Sequence, residues 1–152
     1  MSTPNPKQLE NAYAFLTHLN ALDFDALGEL MAPHFTHQYF PGMINPLDGK
    51  ERRGKESSHP LLGPPDQMVS LHSPNNLLSM FEKVTYGPPL DVIHGVDAVV
   101  FHLKSDGMSK LGKKYNNEYM VTFHFEGKKM TSLQEYVDSK YSALYFASLR
   151  EE

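Results

Sequence analysis

The chain has 152 residues, of which 40% are hydrophobic and 21% charged, so it can bury a core the size of one ordinary domain. A formal net charge of −4 argues against nucleic acid as a main partner, and no apolar run is long enough to span a membrane. The chain has no cysteine, which excludes disulfides and thiolate chemistry and fits a cytoplasmic location. The start, MSTPNPKQLE, lacks the basic and apolar stretches of a signal peptide.

The N-terminal part predicts two helices and a strand. Apolar residues at spacings of three and four predict a helix from Pro6 to Leu22, with Asn5 as its cap. Asp23 is expected to cap a second, short helix that Pro33 ends. The following segment, PHFTHQYFPG, favours an extended strand because it is rich in aromatic residues and closes on Pro-Gly.

The middle of the chain is divided by prolines and glycines. Residues 43–54 have the pattern of a polar loop, and residues 55–72 are interpreted as broken helix or a lid-like loop. Ser73 and Pro74 then predict the start of a helix through NNLLSMFEKV, which ends at Val84.

The C-terminal half, from about Asp91 to Asp138, predicts a curved antiparallel sheet. Four runs are rich in β-branched and aromatic residues: LDVIHG, DAVVFHLKS, NNEYMVTFHFEG and KKMTSLQEYVD. Gly127 with Lys128 predicts a tight hairpin between the last two runs. The final segment, SKYSALYFASLREE, predicts a short amphipathic helix with one apolar side, made of Tyr141, Leu144, Tyr145 and Leu149.

Helices that precede a sheet in this order predict a single α+β domain over residues 1–152. A strongly bent sheet wrapped around the N-terminal helices would leave a conical hollow between the two layers. Such a hollow is a common place for a small-molecule site.

Three stretches resemble the SnoaL-like polyketide cyclases of the nuclear transport factor two-like superfamily. AYAFLTHLNALDFDALGELMAPHFTHQYFPG resembles the first two helices and strand of that family, GVDAVVFHLKSDG its Gly-Asp-x-Val strand, and FHFEGKKMTSLQEYVDS its closing hairpin. EYVDSKYSALYFASL is most similar to fungal members, some of which are isomerases of terpenoid or polyketide pathways. The resemblance implies a cone-shaped, cystatin-like α+β barrel, but this fold hosts enzymes, binding modules and transport adaptors alike.

Glu135 is the first candidate for a catalytic residue. By resemblance it matches the acid that points into the pocket of SnoaL-like cyclases and of limonene epoxide hydrolase. Strand alternation places it on one face with Leu133 and Val137. Apolar surroundings raise the pKa of a carboxyl group, which suits a general acid or base near neutral pH. The alternative is a solvated carboxylate paired with a lysine.

Two positions differ from the relatives that the chain resembles. Tyr39 occupies the position of the aspartate base of ketosteroid isomerases. Val121 occupies the position of that enzyme's oxyanion-hole acid, which is a histidine in SnoaL-like cyclases. A phenol is a poor base at neutral pH, and valine donates no hydrogen bond. The resemblance therefore does not carry over the steroid-isomerase mechanism, and the histidine–aspartate pair of the cyclases is incomplete.

Other titratable residues could supply the missing acid or base. His37 shares the strand face of Tyr39. His102 lies where limonene epoxide hydrolase carries an Arg-x-Asp pair, which is His-x-Lys here. Glu56 and His59, in KESSH, would share one face of a helix. The alternative for each histidine is an imidazole that is hydrogen-bonded on a wet sheet face.

The sequence does not predict a metal or cofactor site. His34 and His37 have a spacing of three, but in a strand their side chains point to opposite faces. The chain has no HExxH motif, no phosphate loop and no dinucleotide fingerprint.

Three classes of function remain. The favoured one is a cofactor-free enzyme that isomerises, cyclises or dehydrates a small apolar metabolite by acid–base catalysis, with fungal-type secondary metabolism implied by the resemblance. Its pocket would be lined by Phe15, Tyr119, Val121, Phe123, Phe125 and Leu133. The second is a binding or carrier protein with the same hollow. The third is an interaction module that forms a homodimer through the outer sheet face, at Thr122, His124, Gln134 and Tyr136.

Overall fold

The computed structural model describes residues 2–40, 43–44, 51–52 and 80–150. Its helices are α1 (Pro6–Asn20), α2 (Phe24–Leu30) and α3 (Ser139–Ser148). Its strands are β1 (Met31–Phe40), β2 (Met43–Ile44), β3 (Glu51–Arg52), β4 (Phe81–Tyr86), β5 (Asp91–Gly95), β6 (Ala98–Ser109), β7 (Lys114–Tyr115), β8 (Glu118–Glu126) and β9 (Lys129–Val137). None of the helices in this part of the chain is long and apolar enough to cross a membrane.

The first helix begins where the sequence predicts. The side chain of Asn5 accepts a hydrogen bond from the Lys7 N–H at 3.0 Å, and Pro6 takes the first helical position. The helix ends at Asn20, two residues before the predicted end, and Leu22 then has a positive φ of 56°. Its buried apolar residues recur at spacings of three and one, at Ala12, Phe15 and Leu16.

The second helix is capped as predicted but ends earlier. Asp23 accepts a hydrogen bond from the Ala26 N–H at 3.1 Å. The helix ends at Leu30 rather than at Pro33, because the chain is already extended from Met31 and continues as β1. Pro33 therefore lies within a strand.

The main sheet has the strand order β1-β9-β8-β6-β4, with β5 and β7 also paired to β6. All of these pairs are antiparallel except β1 with β9, which run parallel, so the sheet is mixed rather than wholly antiparallel. A hairpin does not connect β1 to β9, so local geometry does not impose an antiparallel pair there. The sheet curls strongly into a half-barrel, and the predicted α+β class is confirmed.

The predicted helix from Ser73 to Val84 is wrong at its C-terminal end. Phe81–Tyr86 form β4, which pairs with β6 in the register Val84 to Gly107 and Tyr86 to Ser105. Tertiary pairing with a long neighbouring strand overrides the weak helical preference of this segment. Residues 53–79 lie outside the described part of the chain.

The C-terminal helix is present, but only two of the four residues on its predicted apolar side are buried. Tyr145 and Leu149 are buried against Phe81 and Tyr115, whereas Leu144 is 64% exposed. The helix therefore closes a small second core at one end of the sheet, apart from the main core beneath α1.

Polar side chains of α1 hold the helix over the sheet. The Gln8 amide donates hydrogen bonds to Asp97 Oδ1 at 2.8 Å and to the Gly127 carbonyl at 2.7 Å. The Asn11 amide donates to the Lys128 carbonyl at 2.7 Å. Gly127 and Lys128 form the predicted tight turn between β8 and β9, and Gly127 has a φ of +58°. The start of α1 is thus fixed against two turns, the β5–β6 turn that contains Asp97 and the β8–β9 turn at Gly127 and Lys128.

Candidate active site

Two titratable side chains meet on the inner face of the sheet. His37 lies on β1 and Glu135 on β9, 98 residues further along the chain, and the His37 Nε2 to Glu135 Oε2 distance is 3.0 Å. Their side chains are 0% and 4% exposed. The parallel pairing of the two strands places His37 beside Leu133 and Tyr39 beside Glu135. Leu133 and Glu135 are both buried, so the alternation predicted for β9 does direct the Glu135 carboxyl group inward.

Tyr86 is the second partner of this carboxyl group. Its phenol donates a hydrogen bond to Glu135 Oε1 at 3.3 Å, so the two oxygens of Glu135 contact different side chains. Tyr86 ends β4, which lies three strands away from β9 in the sheet order. The phenol reaches Glu135 because the sheet curls and brings the inner faces of distant strands together.

Sequence reasoning missed Tyr86 because it placed the preceding residues in a helix. One sequence signal does favour a strand there: Tyr86 is an aromatic residue followed directly by Gly87 and two prolines, a pattern typical of a strand end. Even that signal does not indicate that the side chain meets Glu135.

Apolar and aromatic side chains surround the pair. Val121 is the direct cross-strand neighbour of Glu135 and is buried, and Tyr119 pairs with Val137 on the same two strands. The other predicted lining residues are all buried in the main core: Phe15, Phe123, Phe125 and Leu133. The ring centroids of Phe15 and Phe123 lie 5.3 Å apart. A buried charge in such surroundings is costly unless it is paired and hydrogen-bonded.

Tyr119 is held in its neutral form. Burial raises its pKa far above the ordinary value of a phenol, and both the adjacent Tyr115 and the negative charge of Glu135 act in the same direction. Its hydroxyl lies 3.1 Å from the Tyr115 hydroxyl, to which the Asn117 amide donates at 3.1 Å. The Tyr119 ring packs edge-on against Tyr86 at 5.1 Å. Tyr119 can therefore position Tyr86 and act as a hydrogen-bonding group, but not as a base.

The structure does not bring His102 to this cluster. Its neighbours Phe101 and Leu103 point inward, so His102 lies on the outer face of β6. There its Nε2 lies 2.5 Å from Glu118 Oε1, and the two side chains are 30% and 51% exposed. His102 is therefore not a partner of Glu135 in this arrangement.

The predicted catalytic candidates Glu56 and His59 lie outside the described residues.

His34 and His37 point to opposite sides of β1, since His34 lies 3.7 Å from Glu126 on the exposed side. Across the described segments, no group of three His, Asp or Glu side chains is arranged to hold a metal ion.

No protein-family model and no curated protein sequence matches the chain at a significant level. Solved structures match over nearly its whole length. The BvnE pinacolase from Penicillium brevicompactum is 19% identical, with 100% of this chain and 98% of that chain covered at a TM-score of 0.69. A protein from Jannaschia sp. CCS1 named as a SnoaL-like polyketide cyclase is 14% identical, with 94% and 93% covered at a TM-score of 0.66.

A nuclear transport factor two-like protein from Burkholderia pseudomallei is 12% identical, with 95% of each chain covered at a TM-score of 0.65. At these identities the likeness is one of fold. The chain has the nuclear transport factor two-like fold that SnoaL-like cyclases share, as the sequence resemblance implied.

Proposed function

We propose that the chain is a cofactor-independent enzyme that moves a proton on a small, mostly apolar metabolite. The reaction is an isomerisation, a cyclisation or a dehydration. The single observation that carries this proposal is the buried His37–Glu135 pair with Tyr86 on its second oxygen, set in an apolar part of the concave face.

The energetic argument is that such a pair is poorly explained by stability alone. Removing two ionisable groups from water costs several kcal/mol, and well-packed apolar residues of similar volume are often at least as stable. Buried pairs of ionisable side chains are found preferentially at functional sites. The inward position of His37 and Glu135 thus favours a chemical role.

In the proposed reaction the His37–Glu135 pair, Tyr86 and the apolar side chains have different functions. The His37–Glu135 pair accepts a proton from one substrate atom and returns it to another, so an isomerisation balances without any change in oxidation state. The phenol of Tyr86 stabilises the carboxylate form of Glu135 by a hydrogen bond. Val121 and the aromatic rings exclude water and favour an apolar substrate.

The solved structures support this proposal only through their fold and their names. One is named as a pinacolase of a Penicillium species and another as a SnoaL-like polyketide cyclase. These names and the fungal-type sequence EYVDSKYSALYFASL lead us to propose a substrate from fungal-type secondary metabolism, of the size of a terpenoid or polyketide unit.

The test compares two carboxyl groups in the same protein. Glu135→Gln keeps the shape of the side chain but removes the proton acceptor. With a terpenoid or polyketide that the parent protein converts, we expect kcat to fall by roughly 10²–10⁴-fold. Glu118→Gln is the matched control, since Glu118 also contacts a histidine but on the outer face. Full turnover by a folded Glu135→Gln variant would overturn the proposal.

A second candidate function is binding without chemistry. It is favoured by the closed network at the site, in which both oxygens of Glu135 already contact His37 and Tyr86. Val121, which the sequence resemblance assigns to the oxyanion-hole position of ketosteroid isomerases, donates no hydrogen bond. Native mass spectrometry of the protein from its own host separates the two functions, because a carrier retains an unmodified ligand whereas an enzyme converts it.

A further inference from the structure

A side-chain amide at the end of α1 holds the main chain of Tyr86. Asn20 Nδ2 donates a hydrogen bond to the Tyr86 carbonyl at 2.8 Å, and Asn20 Oδ1 accepts one from the Tyr86 N–H at 2.8 Å. The planar amide of Asn20 thus satisfies both main-chain groups of one residue, as a neighbouring strand would. This two-point contact fixes both the position and the direction of the backbone at the end of β4.

The phenol of Tyr86 depends on that position. Its hydrogen bond to Glu135 Oε1 is 3.3 Å long, which is beyond the usual range for two oxygens. A displacement of the Tyr86 backbone by a few tenths of an ångström away from β9 would break the bond. The ring of Tyr119, at 5.1 Å, limits rotation of the Tyr86 side chain but does not hold its backbone.

We propose that Asn20 is a positioning residue of the site, which acts through Tyr86 to hold Glu135 in its working orientation. The inference rests on the proposed function, and Asn20 itself does not touch Glu135 in these contacts. Asn20 thus links the last turn of α1, through Tyr86 on β4, to a carboxyl group on β9.

The chain provides a matched control for this role. Asn11 is on the same helix and also donates its amide hydrogen bond to a main-chain carbonyl, that of Lys128. Its partner is in the turn between β8 and β9, away from Glu135. Asn11→Ala therefore removes a comparable contact between helix and sheet without affecting the backbone of Tyr86.

The first experiment needs no substrate. Selective ¹³C labelling reports the carboxyl signal of Glu135 at a fixed pH, in the parent chain and in Asn20→Asp, Tyr86→Phe and the double variant. Asn20→Asp keeps the acceptor for the Tyr86 N–H but sets an oxygen against the Tyr86 carbonyl. We expect both single variants to move the Glu135 signal in the same direction and the double variant to add nothing, because the two residues act in series.

The second experiment measures turnover. We expect Asn20→Asp and Tyr86→Phe each to lower kcat about tenfold with little change in KM, as the loss of one hydrogen bond to a charged group predicts. Asn11→Ala should leave kcat and the Glu135 signal unchanged while lowering stability.

Three results would contradict the inference: an unchanged Glu135 signal in folded Asn20→Asp, additive changes in the double variant, or an equal effect from Asn11→Ala. The proposed function fails by a different measurement, which is full turnover in Glu135→Gln. The two ideas are therefore tested separately.

Discussion

His37 Nε2 lies 3.0 Å from Glu135 Oε2, and neither side chain is appreciably exposed. The same two residue types meet again on the outer face of the sheet, where His102 and Glu118 are both partly open to solvent. The His37–Glu135 pair is thus buried, whereas the His102–Glu118 pair is partly exposed to solvent. This contrast provides an internal comparison for stability as well as for activity.

The first prediction concerns the loss of one partner. His37→Leu leaves Glu135 buried without its imidazole and should lower the free energy of unfolding by about 3–5 kcal/mol. His102→Leu removes a pair that is exposed and should cost about 1 kcal/mol or less. Urea unfolding of both variants measures the difference.

A double variant checks the cause of that loss. His37→Leu combined with Glu135→Leu removes both charges and should recover much of the stability lost in His37→Leu alone. If the double variant is less stable than the single one, burial of an unpaired carboxyl group is not the reason.

The second prediction is a loss of stability at alkaline pH. The pKa of Tyr119 is raised in the folded protein, so above the ordinary phenol pKa of 10.0 the unfolded chain loses a proton that the folded chain keeps. Above pH 10 Tyr119 should therefore lower the free energy of unfolding by about 1.4 kcal/mol per pH unit. Below pH 10 Tyr119 should not change the free energy of unfolding. Tyr119→Phe should lower the slope above pH 10. An identical slope in the variant would contradict the assignment.

The third prediction tests the turn that positions β9. Gly127 has a φ of +58°, and a Cβ atom added there would meet nothing within 4 Å. Gly127→Ala should therefore destabilise by roughly 1 kcal/mol through backbone strain alone. Gly127→Asn should cost less, since asparagine tolerates the left-handed region. Thermal unfolding of the two variants shows whether strain rather than packing is responsible.

The fourth prediction concerns self-association, which the structure of one chain leaves as a proposal. Met120 and Tyr136 are direct cross-strand neighbours on the outer face, and they are 41% and 53% exposed. Two adjacent exposed apolar side chains on a sheet face suit a second copy of this chain as the occupant. Light scattering should give a dimer for the parent protein and a monomer for Met120→Lys. A monomeric parent protein would remove this proposal.

Local patterns in the sequence determined where the two N-terminal helices begin and where the last hairpin turns, but not where those helices end. Asn5 and Asp23 cap their helices as predicted, and Gly127 turns the last hairpin. The period of two along β9 was sufficient to direct Glu135 inward, because alternation is a property of the strand itself. Over Phe81–Val84 the apolar periodicity is weak. A helix was predicted there, but the segment is a strand because it pairs with β6.

Only the tertiary structure decided what Glu135 touches. His37 and Tyr86 lie 98 and 49 residues away from it along the chain, and neither belongs to the hairpin that carries it. Their meeting depends on the parallel pairing of β1 with β9 and on the curl that brings the end of β4 across the inner face. Periodicity indicates which face of a strand is buried. It contains no information about which distant strands will share that face, because that choice is made by the packing of the whole sheet around α1.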